Sequence, residues 1–361
     1  MVALFSAAAG AHADTWPYKP IHVVVPFGPG GANDVVARYV AEAASRELGQ
    51  PIIVDNKPGA GSVLGAEIVA KSAPDGHTFL APAGGVITNA MIKKIMPYQE
   101  DALVPVVLIA VSPSVIVVPA DSPIKTLKDL VSTSKKGGGL SFSTAGTGTT
   151  PHFVAEMLKL NGGAKLNIIP DKSGADGVVA VIGSQVDATS EASPVVLPQI
   201  NGGKLRPLAS TWNRRIAALQ EIPTAEELGF KDLVIGHWTG LFAPRGTAPE
   251  ILDKMNAAVN KALKSSELRA RLVPLGVWAA EGFQNDQPNV DLSESRKSDF
   301  LEGAKWSRTP EITTFCGVGL LPPRLLGIDP QGGSREDFRK FLNSEKARLG
   351  PIATAAQMQA D

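Results

Sequence analysis

Short runs of apolar, β-favouring residues alternate with amphipathic helical patterns along most of the chain, and this alternation limits the fold more than any motif does. The runs that read as strands are Ile21–Pro26, Ile52–Asn56, Thr78–Ala81, Val106–Val111, Val115–Val118, Leu140–Ser143, Leu166–Ile169, Leu205–Ser210 and Val234–Phe242. Helical spacing covers Asn33–Leu48, Ser62–Lys71, Leu127–Ser134, Pro151–Leu160, Gly174–Ile182, Pro249–Lys264 and Arg335–Leu349. Strands that are apolar throughout need cover on both faces, so the pattern predicts an α/β protein with mainly parallel sheets and helices on either side.

Two stretches are too long and extended for ordinary strands. "VVLIAVSPSVIVVPADSP" is interrupted at Ser112-Pro113-Ser114, and "VIGHWTGLFAPRGTAP" follows much later. Read as two crossings between lobes, they divide the chain into 14–112 plus 237–361, and 113–236, joined by a hinge over a cleft. At 361 residues the chain is long enough for two such units. Before them, Ala11-His12-Ala13 has the A-x-A form of a signal-peptide cleavage site, so residues 1–13 read as the remnant of an export signal. No later run reaches the ~18 apolar residues of a membrane span. Lys+Arg and Asp+Glu both number 35, so no net field draws the chain to nucleic acid. The single cysteine, Cys316, excludes an internal disulfide and any multi-cysteine metal site.

Two loops carry the functional signal. Strand 21–26 runs into Phe27-Gly28-Pro29-Gly30-Gly31-Ala32, and a helix follows with Asn33 as its expected N-cap and Asp34 in its first turn. Glycines there leave backbone N–H groups unobstructed beside the positive end of the helix, an anion site that needs no basic side chain. The same plan recurs at Thr144-Ala145-Gly146-Thr147-Gly148-Thr149-Thr150, with Thr150 as expected cap and Pro151 at the first helical position. One such loop per lobe would clamp a small anion. Neither loop matches a phosphate-binding G-x-x-x-x-G-K-[ST] pattern, so carboxylate suits them better; tight βα turns are the plain alternative for either loop. His22, His77, His152 and His237 show no metal-ligand spacing, and no metal or cofactor is expected. His152 is a ligand donor or a capping residue, Asp75 a turn residue, and Trp238 a core residue. No nucleophile–base pair stands out, which disfavours an enzyme.

"PFGPGGAND", "LGQPIIVDNKPGAG", "APDGHT", "STAGTGTTPHFVAEML" and "GSQVDATSEAS" together resemble the extracytoplasmic solute receptors of tripartite tricarboxylate transporters. The likeness covers about 16–283 and 333–361. It implies a two-lobed, hinged periplasmic binding protein of the type II-like Venus flytrap kind. Such a protein would be a monomer that captures a small carboxylate and delivers it to membrane permease subunits. Ligands of the family are di- or tricarboxylates, acidic amino acids or aromatic acids. By position the resemblance assigns ligand contacts to Phe27, Gly30, Gly31, Ala32, Asp34, Ala83, Gly84, Thr144 to Thr150 and His152. At the distal wall, Asp171-Lys172-Ser173-Gly174 replaces the family's Tyr-Lys-Gly-Gly, and Glu191 stands where an Asp is usual. Lys172 would favour a second anionic group; Asp171 and Glu191 would favour an amine, an amide or hydroxyls. Residues 284–332 match no part of the pattern and read as an atypical insertion. A ligand-sensing receptor for a signalling partner, or a small-acid enzyme, are the alternative readings.

Overall fold

The computed structural model describes residues 16–215, 217–279 and 333–358. The expected signal segment 1–13, the segment 284–332 and Cys316 lie outside them.

The first half of the fold begins with β1 (Ile21–Val25), α1 (Ala32–Leu48), β2 (Ile52–Asn56), α2 (Val63–Ala70), β3 (Thr78–Leu80) and α3 (Gly85–Ile92). β1 pairs in parallel with β2 and β3, as strands joined through a crossover helix do. The second half holds α4 (Leu127–Ser134), β5 (Leu140–Thr144), α5 (Thr150–Gly162), β6 (Leu166–Pro170), α6 (Gly174–Ile182), β7 (Ala188–Ala192), α7 (Ser193–Asn201) and β8 (Leu205–Ser210). There β5 pairs in parallel with β6 and β7. The chain returns through β9 (Gly236–Pro244), α8 (Pro249–Leu263), α9 (Ser266–Leu272) and β10 (Trp278–Ala279), and α10 (Arg335–Ala355) closes the described residues.

The halves meet on one strand. Residues Leu103–Pro119 form a single 17-residue strand, β4, where two strands with a break at Ser112-Pro113-Ser114 were expected. Its first part pairs antiparallel with β9 from Leu103 to Pro113, and its last part pairs with β7 and β8 from Ser114 to Pro119. Proline removes a ladder donor, and Pro113 sits where β9 ends and the partners change, so the ladder passes through it. The sheet order β2-β1-β3-β9-β4-β7-β5-β6 therefore crosses the molecule without interruption.

Hydrophobic clusters lie on both sides of this crossing. One gathers Ile21, Phe79, Val107, Leu252 and Met255; its counterpart gathers Ile116, Leu130, Phe142, Phe153 and Leu158. α10 belongs to both sides. Its Phe338 packs edge-on against Trp238 and Phe242 over the bare Cα of Gly240, whereas Leu349 and Ala353 enter the core around β5 and α5. Arg348 adds a bond to the Val234 carbonyl just before β9 (3.1 Å). Phe338 is 1% exposed. Phe338→Ala is expected to cost about 3–5 kcal/mol, read as a lowered midpoint in urea unfolding, since neither Gly240 nor the neighbouring rings can fill the space.

Candidate functional site

The loop after β1 is held in shape by its own acid. Gly30, with φ +79°, donates its N–H to Asp34 Oδ2 (2.9 Å), while Arg38 Nε and Asn56 Nδ2 donate to Oδ1 (3.0 and 2.9 Å). Burial alone would raise the Asp34 carboxyl, but these bonds outweigh it and hold the group below the usual carboxylate range. Asn56 also donates to the Phe27 carbonyl (3.0 Å). Gly31 is the N-cap of α1, not Asn33. The Asn33 amide turns inward and donates to the Pro82 carbonyl (2.9 Å) and Thr239 Oγ1 (3.0 Å), because a buried amide must find partners. That tie brings the Ala83–Gly84 corner beside α1. Ala83 is core, and Gly84 is the N-cap of α3, close to Trp238. Ala32 packs against α6-side apolar groups.

The loop after β5 is braced in the same way. Gly146 and Gly148 take φ +104° and +79°, left-handed values that favour glycine. Thr149 Oγ1 donates to the Gly146 carbonyl (2.6 Å), and Gly148 N–H donates to His152 Nδ1 (3.0 Å). The bond from Gly148 leaves the His152 proton on Nε2, which faces Glu156 at 3.7 Å. His152 thus shapes the loop. Thr149, one residue before the expected Thr150, is the N-cap; Thr150 is the first residue of α5 and is buried. Thr144 is buried under the loop, its carbonyl accepting from Asp171 N–H (2.8 Å).

Between these loops lies a cavity of about 360 Å³, within the range of small-molecule sites. Of the sequence-predicted residues it brings together Phe27, Ala145 and Asp171, joined by Lys172 and Asp176. Its floor was missed: Gly59-Ala60-Gly61-Ser62, between β2 and α2. Ala60, Gly61 and Ser62 all have left-handed backbones (φ +50°, +63°, +84°), a strain that concentrates at functional sites. The signal lay in the repetition: this too is a strand, a glycine loop and a helix. The two halves touch around the cavity. Gly61 Cα abuts the Thr147 carbonyl, Thr88 Oγ1 donates to the Gly148 carbonyl (2.6 Å), and Gly28 lies against Ser173.

The far wall is acidic. Asp171 Oδ2 accepts from Ser143 Oγ (2.6 Å), and Asp176 Oδ2 accepts from Ser173 Oγ (2.7 Å) at the N-cap of α6. Behind them Glu191, on β7, presses its carboxyl against the bare Cα of Gly174, and its Oε1 has no hydrogen-bond partner among the described residues. Burial pushes the Glu191 carboxyl up to about 8; the Ala192 N–H opposes this and the Asp171 charge adds to it. On the crossing itself, burial pushes His237 down to about 3, and its Nε2 lies 3.1 Å from Ser114 Oγ. Among the described residues no group of three or more His, Cys, Asp or Glu side chains could hold a metal ion.

These two groups give stability opposite pH slopes. Glu191 keeps a proton that the unfolded chain has lost above 4.5, so stability falls as pH rises from there to about 8. His237 refuses a proton that the unfolded chain accepts below 6.5, so stability falls as pH drops from there to about 3. Between 4.5 and 6.5 the slopes oppose each other; above 6.5 Glu191 acts alone. Glu191→Gln is expected to remove a decline of about 1.4 kcal/mol per pH unit on the alkaline side. Urea unfolding at pH 6.5, 7.25 and 8 checks it, and an equal decline in the variant would refute the assignment.

Residues 36–298 match the family described as "Tripartite tricarboxylate transporter family receptor", a span that enters the segment without counterpart in the motif pattern. Protein BugT of Bordetella pertussis is 36% identical over 274 residues, covering 73% of this chain and 84% of its own. The structure of the periplasmic binding protein BugD superposes with a TM-score of 0.79 at 26% identity, over 96% of this chain and 100% of that one. MatC from Rhodopseudomonas palustris with bound malate gives 0.76 at 26% identity, over 93% and 99%. The two-lobed α/β binding-protein architecture expected from the sequence is the architecture of these neighbours. The chain belongs to the tripartite tricarboxylate transporter receptor family.

Proposed function

We propose that this protein is an extracytoplasmic receptor that captures a small carboxylate in the cavity between its lobes and presents it to membrane permease subunits. It acts as a monomer and performs no bond chemistry on the ligand. The observation that carries this reading is the cavity of about 360 Å³ lined by strand-end loops from both sides of the β4–β9 crossing. Malate bound to MatC supports a carboxylate, and the periplasmic neighbour BugD supports export, to which the Ala11-His12-Ala13 segment fits. Among the described residues no helix is long and apolar enough to cross a membrane.

Lobes of 14–112 plus 237–361 and of 113–236 would turn about the point where β4 changes partners from β9 to β7 and β8. A ligand favours the closed form only through contacts that the open form lacks. Gly61–Thr147 and Thr88–Gly148 are such contacts from the protein's own side. The anion-binding groups of this reading are the backbone amides of the loop residues that line the cavity, Phe27, Ala60, Gly61 and Ala145. Side chains such as Asp34 and His152 hold those backbones in place.

Two measurements test this reading. Thermal unfolding of refolded, ligand-free protein should rise with carboxylates and not with sugars or phosphates; a ligand at 100 times its Kd adds about 2.7 kcal/mol. Shifts from phosphates alone would overturn the carboxylate assignment. Gly61→Ala puts a Cβ into the Thr147 carbonyl in the closed form. It should weaken the same ligand at least tenfold, about 1.4 kcal/mol, in calorimetric titration; unchanged affinity would mean that closure does not bring these loops together.

A further inference from the structure

Elsewhere in the protein, buried acids are met by bases or by several donors. Asp34 has Arg38, Gly30 and Asn56; Glu156 has Lys159 and His152; Glu345 has Arg348. The cleft wall differs. Asp176 is accounted for by Ser173 and by the positive end of α6. Asp171 is not. Its backbone N–H is tied to Thr144 and its Oδ2 to Ser143, so the carboxylate is fixed in direction at the cavity surface, and no cation forms an ion pair with it among the described residues. Behind it stands Glu191, 97% buried, with one oxygen unpartnered. The cation that lines the cavity, Lys172, is exposed and can be screened by water.

We infer that the ligand is a carboxylate that also carries a cationic group, and that Asp171 receives that group from the far wall of the cavity. This rests on the carboxylate-receptor reading above. A half-buried carboxylate without a counter-charge is costly, and an ammonium or amidinium removes the cost while adding a charge-assisted hydrogen bond. A dicarboxylate brings its second charge toward Asp171 and Asp176 with Lys172 alone to offset it. The volume of about 360 Å³ suits a compact molecule such as an amino acid or a short amino-alkanoate. The specificity-determining residue is Asp171; Ser143 positions it, and Glu191 lends it a polar backing.

The test uses calorimetric titration of refolded full-length protein with isosteric sets of three to six carbons. Each set pairs an α- or ω-amino acid with the matching hydroxy acid and dicarboxylate, for example 4-aminobutanoate, 4-hydroxybutanoate and glutarate. The expected result is that in at least one set the amine binds at least tenfold tighter than both partners. Asp171→Asn should then bring the ratio close to one, while Ser143→Ala, which frees the Asp171 side chain, narrows it less. A dicarboxylate or hydroxy acid that matches or exceeds every amine overturns the inference and leaves the receptor reading standing. A preference that survives in Asp171→Asn overturns the role given to Asp171. Binding of inorganic phosphate or sugars without any carboxylate overturns both readings, as does silence across all sets from folded protein.

Discussion

The structure depends on one backbone ladder. β4 and β9 run antiparallel from Leu103↔Pro244 to Pro113↔Gly236, and β4 then continues into the other half beside β7 and β8. Every strand-end loop around the cavity is placed by its distance from this crossing. The change of partner at Pro113 is tolerable because no ladder donor is needed where β9 stops. Around it the crossing carries hydroxyls as well as large rings, with Trp212 lying over Gly236 and stacked on Trp278. Ser114 Oγ bonds Ser190 Oγ (2.8 Å), His237 Nε2 lies 3.1 Å away, and Thr211 Oγ1 donates to the Ile235 carbonyl (2.5 Å). Short polar side chains satisfy one another there, which leaves no buried donor of Ser114, Ser190 or Thr211 without a partner.

The glycine loops are shaped in part by their own amides. Some N–H groups are consumed in shaping the loop: Gly30 by Asp34, Gly148 by His152, Thr149 by the Gly146 carbonyl. Spending those donors internally fixes the remaining backbone, and preorganised donors lose little freedom when a ligand arrives. Residues that a motif reading treats as ligand contacts thus divide by chemistry. Phe27, Ala145 and Asp171 reach the cavity. Asp34, Thr149 and His152 act one layer behind, through hydrogen bonds. The close approach of Gly61 to Thr147 and of Gly174 to Glu191 explains why both positions lack a side chain.

Most of the fold was legible as pattern. β2, α4, α6 and β8 fall on their expected bounds, since apolar spacing and turn residues agree there. Elements escaped where pattern and burial part company. β7, Ala188-Thr189-Ser190-Glu191-Ala192, has no apolar run, yet all five residues are buried because Thr189 and Ser190 bond across to Ser143 and Ser114. α3, "GVITNAMI", is short and rich in β-branched residues; it is helical because Asn89 and Thr88 bond to the loops it supports. The cap of α1 moved from Asn33 to Gly31 as Asn33 turned into the core toward Pro82 and Thr239, and the cap of α5 moved from Thr150 to Thr149.

The sequence by itself determined the α/β alternation, the two glycine loops and the family, because periodicity, turn chemistry and a chain of specific motifs are local properties of the residues. Tertiary structure alone decided that the two crossings form one continuous strand pair, that Gly59–Ser62 floors the cavity, and that α10 packs on both halves. It also decided which acids are matched and which face the cleft unpaired. Those facts follow from which distant segments come within a few ångströms of each other, and contact between segments far apart in the chain leaves no trace in local spacing.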